Sequence, residues 1–405
     1  MGNAQTASSE DYFAAYYNPA NLISRKSVHF GYGFNYVVPL LSISRRDTSS
    51  AIPSLLPDAD LGVYAGISAP IGGIFEKKVA FGFAIFLPML SFTRLDAVDY
   101  RKPHFYSHQS LPNKLVILGG IGVQPIEWLR VGLGVQILAD LQGAARVDVS
   151  LLDNRLDRKD IRVDVFGHAA PTAGLTFVPL DGLNLSLSYR SALSLRYELP
   201  IRAFIEEIGT LDIRFSGTSL YTPHQLSVGA SWDISDLPLR VAADVTWAMW
   251  SLAPSPAADV TLAVDGSELF QQSDPTSPGT ILDARSATVQ IDARDTLTPR
   301  IGFESVPLDW LTARIGYYFS PQRLPVPTQQ ANYLDANVHT MSLGLGFRFL
   351  DPTEHHQQPL TLDLSVQWQL FDTVHVDKPD PNDPVGDYKA GGSIFNFGLD
   401  IRHDF

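Results

Sequence analysis

The chain is predicted to be all-β, a 14-stranded antiparallel transmembrane β-barrel carrying a small N-terminal plug. Three observations predict it: long stretches of period-two alternation, connections that alternate between short and long, and an apolar first segment without the strand pattern. Alternation marks strands with one face in an apolar medium and one in a polar medium. In Leu360–Val374 the apolar row is Leu360, Leu362, Leu364, Val366, Trp368 and Leu370, with Thr361, Asp363, Ser365, Gln367 and Gln369 opposite.

Residues 1–26 precede the alternation. Ser8 or Ser9 is expected to cap a short helix reaching Tyr17, with Glu10 and Asp11 favourably placed in its first turn. Pro19 is expected to end it. Tyr12, Phe13, Tyr16, Tyr17 and Leu22 make the segment too apolar for a solvated tail. A lumen bounded by fourteen strands is too wide for wall side chains to fill, so 1–26 is expected as an internal plug and 27–405 as the barrel.

Fourteen strands are expected, at 27–38, 59–69, 78–93, 113–124, 129–151, 160–178, 183–199, 223–234, 239–251, 285–304, 310–320, 338–349, 360–374 and 392–405. In the first, Val28, Phe30, Tyr32, Phe34, Tyr36 and Val38 share one face, with His29, Gly31, Gly33 and Asn35 opposite. The last ends on Phe395, Phe397, Leu399, Ile401 and Phe405. Each meets the roughly 9–11 residues a tilted membrane strand needs, and many exceed the usual five or six of a soluble sandwich. Short turns such as 124–127, 179–182 and 307–309 alternate with connections of about 17 to more than 30 residues, the arrangement of a membrane barrel. The parity puts both termini on the short-turn side.

Composition agrees. Charged residues are 18% of 405 and hydrophobic residues 45%, against roughly 25% charged in soluble domains. No run approaches the roughly 18–20 apolar residues of a membrane helix. The absence of cysteine removes disulfides, thiol catalysis and cysteine metal sites. A net charge of −13 argues against nucleic acid. Met1-Gly2-Asn3-Ala4 reads as a start methionine before a mature chain, with a signal peptide removed.

Local chemistry is sparse. Gly119, Gly120 and Gly122 lie inside a strand pattern and form no phosphate loop. His355 and His356 lack a carboxylate at metal-ligand spacing. Asp377, Asp380, Asn382, Asp383 and Asp387 crowd one loop, without the spacing of an EF-hand, and read as a solvated acidic loop. No Gly-x-Ser-x-Gly element occurs, no cofactor is implied, and the chain is read as a non-enzyme. Arg190, Arg240, Arg314 and Arg348 sit in polar rows, where a lumenal network with Asp244, Glu304 or Asp363 is expected. Phe83 and Phe86 fall on opposite faces of the third strand. Pro88, beside Met89, marks an edge, bulge or kink there, or the strand's end at the outer rim.

Ala14-Ala15-Tyr16-Tyr17-Asn18-Pro19-Ala20-Asn21-Leu22 resembles the hatch motif of the FadL family of outer-membrane transporters. Val63–Pro88, Leu187-Ser188-Tyr189-Arg190-Ser191, Tyr221-Thr222-Pro223 with Thr246-Trp247 and Trp250-Ser251, and Asp295–Phe319 continuing to His339 resemble further family elements in the same order. Phe405 resembles the terminal aromatic read by the barrel-assembly machinery. Around Phe86–Phe92 the chain departs from the family pattern. The resemblance implies passive uptake of long-chain fatty acids or other hydrophobic compounds in the bacterial outer membrane, by a monomer set among lipid and lipopolysaccharide. It also implies an external apolar groove, an interior pocket, a hatch at Asn18 and Pro19, and sideways release at a kink in the third strand. Tyr16 and Tyr17 line the pocket or pack the plug. Phe83, Phe86, Pro88 and Met89 are the wall candidates for binding or gating, and Arg190 is the candidate partner of a ligand carboxylate. The rival readings are a structural or secretion-associated barrel of the same fold without a substrate, and an outer-membrane lipid-hydrolysing barrel enzyme.

Overall fold

A computed structural model describes the chain except for residues 46–51, 74–77, 91–98, 107–114, 151–154, 206–208, 235–236, 266–279, 287–288 and 351–357. It gives backbone alone at 140–150, 155–165, 209, 219 and 280–281. His355 and His356 lie outside the described residues. The strands are β1 (His29–Arg45), β2 (Asp60–Pro70), β3 (Val79–Pro88), β4 (His104–Phe105), β5 (Val116–Ile126), β6 (Leu129–Ser150) and β7 (Arg155–Leu180). They continue as β8 (Leu183–Arg190), β9 (Leu193–Ile205), β10 (Gly209–Thr222), β11 (Gln225–Ile234), β12 (Leu239–Ala248), β13 (Asp259–Asp265) and β14 (Thr280–Arg285). The last are β15 (Thr296–Leu308), β16 (Leu311–Ser320), β17 (Tyr333–Leu334), β18 (Val338–Phe349), β19 (Leu360–Val376) and β20 (Tyr388–Asp404).

Fourteen of these close a barrel: β1, β2, β3, β5, β6, β7, β8, β11, β12, β15, β16, β18, β19 and β20, each antiparallel to the next. The seam is β1 against β20, paired from His29↔Asp404 to Arg45↔Tyr388. Closure leaves no free sheet edge at membrane depth. The turns are tight where the chain supplies the residues for them. Between β7 and β8, Gly182 takes φ +81, which favours glycine.

The expected apolar rows point outward. Tyr32, Phe34, Leu133, Leu187, Leu343 and Leu364 are exposed, as a lipid-facing band requires. Aromatic pairs bound this band. At the turn end Trp128 meets Phe177, Trp310 stacks on Phe347, and His403 lies against Tyr32 and Phe405. At the loop end Tyr189 stacks on His224, Tyr317 on His339 and Trp368 on Phe395. Rings of this kind sit at the two membrane interfaces. The chain is a membrane-spanning β-barrel.

The expected seventh strand, 183–199, is two strands. β8 stops at Arg190, and the chain breaks at Ser191-Ala192 opposite Pro223-His224. Pro223 has no N–H to give the ladder, and the Ala192 N–H donates to the His224 ring at 3.1 Å instead. Beyond the break β9 pairs with β10, β10 with β13, and β13 with β14. β9 also runs parallel to the upper part of β6, Ala145↔Ile201 to Val149↔Ile205. The end of the expected seventh strand, chain expected as loop, and Arg285 from the expected tenth strand thus form a sheet outside the barrel, and the barrel strand expected from 285 begins at Thr296.

The helix expected after Ser8 or Ser9 is a single turn, α1 (Ala14–Tyr17), without a side-chain cap. Ser8 Oγ donates to the Ala4 carbonyl at 2.7 Å. Asp11 is nearer the expected role, accepting the Phe13 N–H at 2.9 Å. A 3₁₀ helix, Pro19–Ser24, follows with Asn18 as its cap.

Candidate functional site: the plugged lumen

The N-terminal segment packs against the inner wall of the barrel, where glycines make room for it. A Cβ on Gly132 would run into the Ala20 amide, and one on Gly174 into the Asn18 side chain. The same holds for Gly31 and Gly66 against Tyr12, and for Gly302 against Met1. The plug therefore approaches the wall at backbone distance on several sides.

Asn18 is fully buried. Its amide donates to the Thr6 carbonyl and to Thr176 Oγ1, both at 3.0 Å, and its carbonyl oxygen accepts the Ala20 N–H at 3.1 Å. Asn21 donates to the Thr6 carbonyl at 3.1 Å and accepts from Thr176 Oγ1 at 2.6 Å. The Asn18-Pro19 element thus ties the 3₁₀ helix to the start of the plug and to β7. Buried polar groups satisfied in this way hold one geometry, since breaking any of them strands the others.

Ion pairs anchor the plug elsewhere. Glu10 pairs with Arg25 at 3.3 Å and Arg240 at 2.7 Å, and Arg240 also pairs with Asp233 and, at 3.8 Å, with Glu304. Arg314 bridges Glu304 and Asp363, and Arg402 joins Asp363 to Asp400 and to Asp11 of the plug. Arg300 pairs with Asp244, whose other oxygen accepts from Thr6 Oγ1 at 2.9 Å. The lumenal network expected from the polar rows is present, with Arg240 and Arg314 in it. Arg348 is exposed and takes no part in these pairs.

Arg190 is arranged differently. Its guanidinium lies 3.6 Å from the centre of the Tyr16 ring and donates to the Tyr16 carbonyl at 2.6 Å and to Gln225 at 3.0 Å. Its buried Nε has no partner. Tyr16 packs with Phe13 against Tyr12, Ala15, Ala84 and Leu118, while the Tyr17 hydroxyl donates to Asn3 at 3.3 Å. Tyr16, Asn18, Pro19 and Arg190 come together at the plug. The wall candidates do not: Phe83 is exposed to the bilayer side, and Phe86 turns inward over Gly62.

β3 has no bulge, since it pairs with β2 and with β5 without a register shift. A bulge, one of the readings of Pro88, is absent from the described part of this strand. Pro88 instead marks an edge. The β2 ladder runs to Gly62↔Pro88, and the Met89 N–H donates to the Leu61 carbonyl at 2.7 Å, whereas among the described residues the β5 ladder runs to Phe86↔Val116. Backbone groups alternate between neighbours along a strand. With Met89 bonded to β2, the position lacking an N–H at Pro88 faces β5.

An apolar depression of about 480 Å³ lies on the barrel's outer face, lined by Ile301, Phe303, Ile315, Met341 and Leu343. It faces lipid and is separate from the lumen. Among the described residues, no group of three or more His, Asp or Glu could hold a metal. Asp380, Asp383 and Asp387 accept backbone N–H groups of their own loop.

Solved structures similar to this one span nearly the whole chain. A FadL homologue of Pseudomonas aeruginosa matches with a TM-score of 0.63 at 16% identity, covering 99% of this chain and 96% of that one. The chain has the FadL-type fold. The Pseudomonas putida toluene transporter TodX gives 0.59 at 15%, covering 97% and 94%, and the monoaromatic hydrocarbon channel CymD 0.57 at 13%, covering 98% and 94%. No family model matches the chain, and no curated protein does. The glycine contacts and the external sheet were missed in the sequence. The glycines had a signal, falling in the polar row opposite the lipid-facing residues.

Proposed function

We propose that the chain is an outer-membrane channel for passive uptake of small hydrophobic molecules, neutral aromatic hydrocarbons above all, with residues 1–26 as its hatch. The observation that carries this reading is the two-sided plug. One side is held by ion pairs and buried amides; the other offers Phe13 and Tyr16 to an apolar wall. A lumen built to exclude water without apolar cargo would not need that second side. The fold shared with toluene and monoaromatic channels supports the reading. In it the protein works as a monomer among lipid and lipopolysaccharide, after insertion by the barrel-assembly machinery.

Charge supports neutral cargo. Arg240, Arg300, Arg314 and Arg402 are each paired with acids, so a carboxylate entering there meets guanidiniums already engaged and the negative charge of their partners. Sideways release belongs to the proposal, between β3 and β5 above Phe86, where Pro88 has no N–H to give towards β5. A second reading, uptake of fatty acids with the carboxylate at Arg190, is favoured by that residue's unpartnered Nε.

Cells producing the protein, compared with cells lacking it, are expected to accumulate labelled toluene faster and labelled decanoate no faster. Faster decanoate entry that is lost in Arg190→Gln establishes the second reading. No acceleration of either compound overturns the transport proposal.

A further inference from the structure

The depression on the outer face of the barrel has a regular cause. Two rows of directly paired residues cross β15, β16, β18 and β19, with no register shift in this stretch. Nearer the loop end runs Ile301, Tyr317, Met341, Trp368; nearer the turn end runs Phe303, Ile315, Leu343, Val366. Paired residues share a face, and here it is the lipid-facing one, since all but the half-buried Val366 are exposed. Between the rows the side chains point inward, and Gly316 and Ser342 line the floor. Residues two apart on a strand stand roughly 6.7 Å apart, and four strands span roughly 14 Å. The depression is a valley about one side chain wide, oblique to the membrane because the strands tilt.

The floor is held from inside. The Gly2 N–H donates to Ser342 Oγ at 2.9 Å, and a Cβ on Gly316 would run into the Gly2 backbone. The plug thus backs the wall where it is thinnest, and the valley is formed before anything enters it, which lowers the cost of binding there. The polar tips of the loop-end row are engaged elsewhere. The Tyr317 hydroxyl lies 2.8 Å from His339 Nδ1, and Trp368 Nε1 donates to Ser393 Oγ at 3.0 Å. What the lining offers an occupant is carbon.

We propose that this valley binds one acyl chain of a membrane lipid in the loop-end leaflet. Its position selects the class of occupant. It lies in the lipid-facing band, beside the aromatic ring to which Tyr317 and Trp368 belong. Inside a bilayer nothing is gained by leaving water, so a chain is retained by packing alone. In the valley it meets protein on the floor and on both sides; on the even parts of the band it meets protein on one side only. Released cargo is the poorer occupant, because the exit proposed between β3 and β5 lies across the barrel from β16 and β18. A second barrel is too broad to enter a valley one side chain wide.

The test is native mass spectrometry of the purified full-length protein, released from detergent after titration with dipalmitoyl phosphatidylethanolamine. The first lipid is expected to bind at least about tenfold more tightly than the next. Val366→Trp and Leu343→Trp each fill the valley from the bilayer side and should abolish that step. Leu364→Trp, two residues from Val366 on the same strand and also facing lipid, should keep it. Heat-modifiable migration reports whether each barrel is intact. Evenly weak binding of successive lipids to the native protein overturns the proposal, as does a tight step that survives in an intact filled variant or is lost in an intact Leu364→Trp. Displacement of the first lipid by excess naphthalene assigns the valley to cargo, and a dimer lost only in the filled variants assigns it to a second copy; either result overturns the proposal too.

Discussion

On one side of the mouth, β1, β19 and β20 climb to Arg45, Val376 and Tyr388, and their inner faces are covered. Leu41, Phe371, Val374 and Ile394 share a buried core with Phe105 of β4 and Leu334 of β17, which pair in parallel across the opening. On the other side β8, β11 and β12 reach the mouth at Arg190, Gln225 and Ala248 without such a cover among the described residues, and the strands beyond carry apolar residues left half open. The residue types are similar; the difference is what lies over them. Covered apolar surface contributes roughly 25 cal/mol per Å² to folding, while uncovered surface contributes little and is free for a ligand. The first side is sealed, and the second leaves its apolar surface half open.

Uncovering the seal should have the largest effect. Phe105 is buried with its ring centre 5.7 Å from that of Phe371, edge to face, and truncating such a ring costs about 3–5 kcal/mol. In Phe105→Ala the His104 and Tyr106 amides, which donate to the Asn332 and Leu334 carbonyls, should exchange at least about a hundredfold faster. The wall amides should not change. Unaltered exchange at both positions would show that the core does not hold β4 against β17.

Acid should loosen the same seal by a somewhat smaller amount. His104 is fully buried, and desolvation pushes its imidazole down to about 4 from the ordinary 6.5. Its Nδ1 faces the Lys102 carbonyl at 2.6 Å and its Nε2 has no partner, with Tyr333 packed edge-on beside it. The unfolded segment binds a proton first, so stability is fully present above pH 6.5 and is lost as pH falls towards 4, by roughly 3 kcal/mol in all. Exchange of the Tyr106 amide followed from pH 7 to 4.5, corrected for intrinsic rates, reads this. A profile identical in His104→Gln assigns the acid response to another group.

The wall was legible because most lipid-facing residues are apolar and many inward ones are small or polar, so the Leu360–Leu370 row could be read without knowing its neighbours. Asn18-Pro19 was legible as a helix stop, and its burial against Thr176 was not, because that contact joins residues 158 apart. The external sheet was invisible for a specific reason. Leu185, Leu187 and Tyr189 face lipid, and Leu193, Leu195 and Tyr197 continue the same odd-numbered row into a buried cluster. Period two persists across Ser191-Ala192, so it cannot report that the strand has left the barrel. The glycines facing the plug needed a second surface to give them meaning.

The plug is the floor beneath both sides, and loosening it should matter less than opening the seal. Asn18→Ala removes the amide that serves Thr6, Ala20 and Thr176, leaving buried groups unpaired at about 1–3 kcal/mol. The barrel should still assemble, with single-channel recordings showing brief openings absent from the native protein and toluene uptake altered. Silent recordings together with native uptake would mean that the ion pairs of Glu10 and Asp11 hold the plug alone.

The smallest effect should come from the charged face of the external sheet. Arg202 and Asp212 are both exposed, and such pairs contribute about 0–1 kcal/mol. Arg202→Ala should therefore leave amide exchange in β9 and β10 nearly native. Its value is as the opposite of Ile201→Asp, one residue away on the same strand but on the other face, which should quicken exchange in β9 and β10 because it puts a charge among Ile213 and Leu262. Equal exchange in the two variants would show that the apolar face adds nothing to the hold of this sheet, and the contrast between the sealed and open sides of the mouth would lose its energetic meaning.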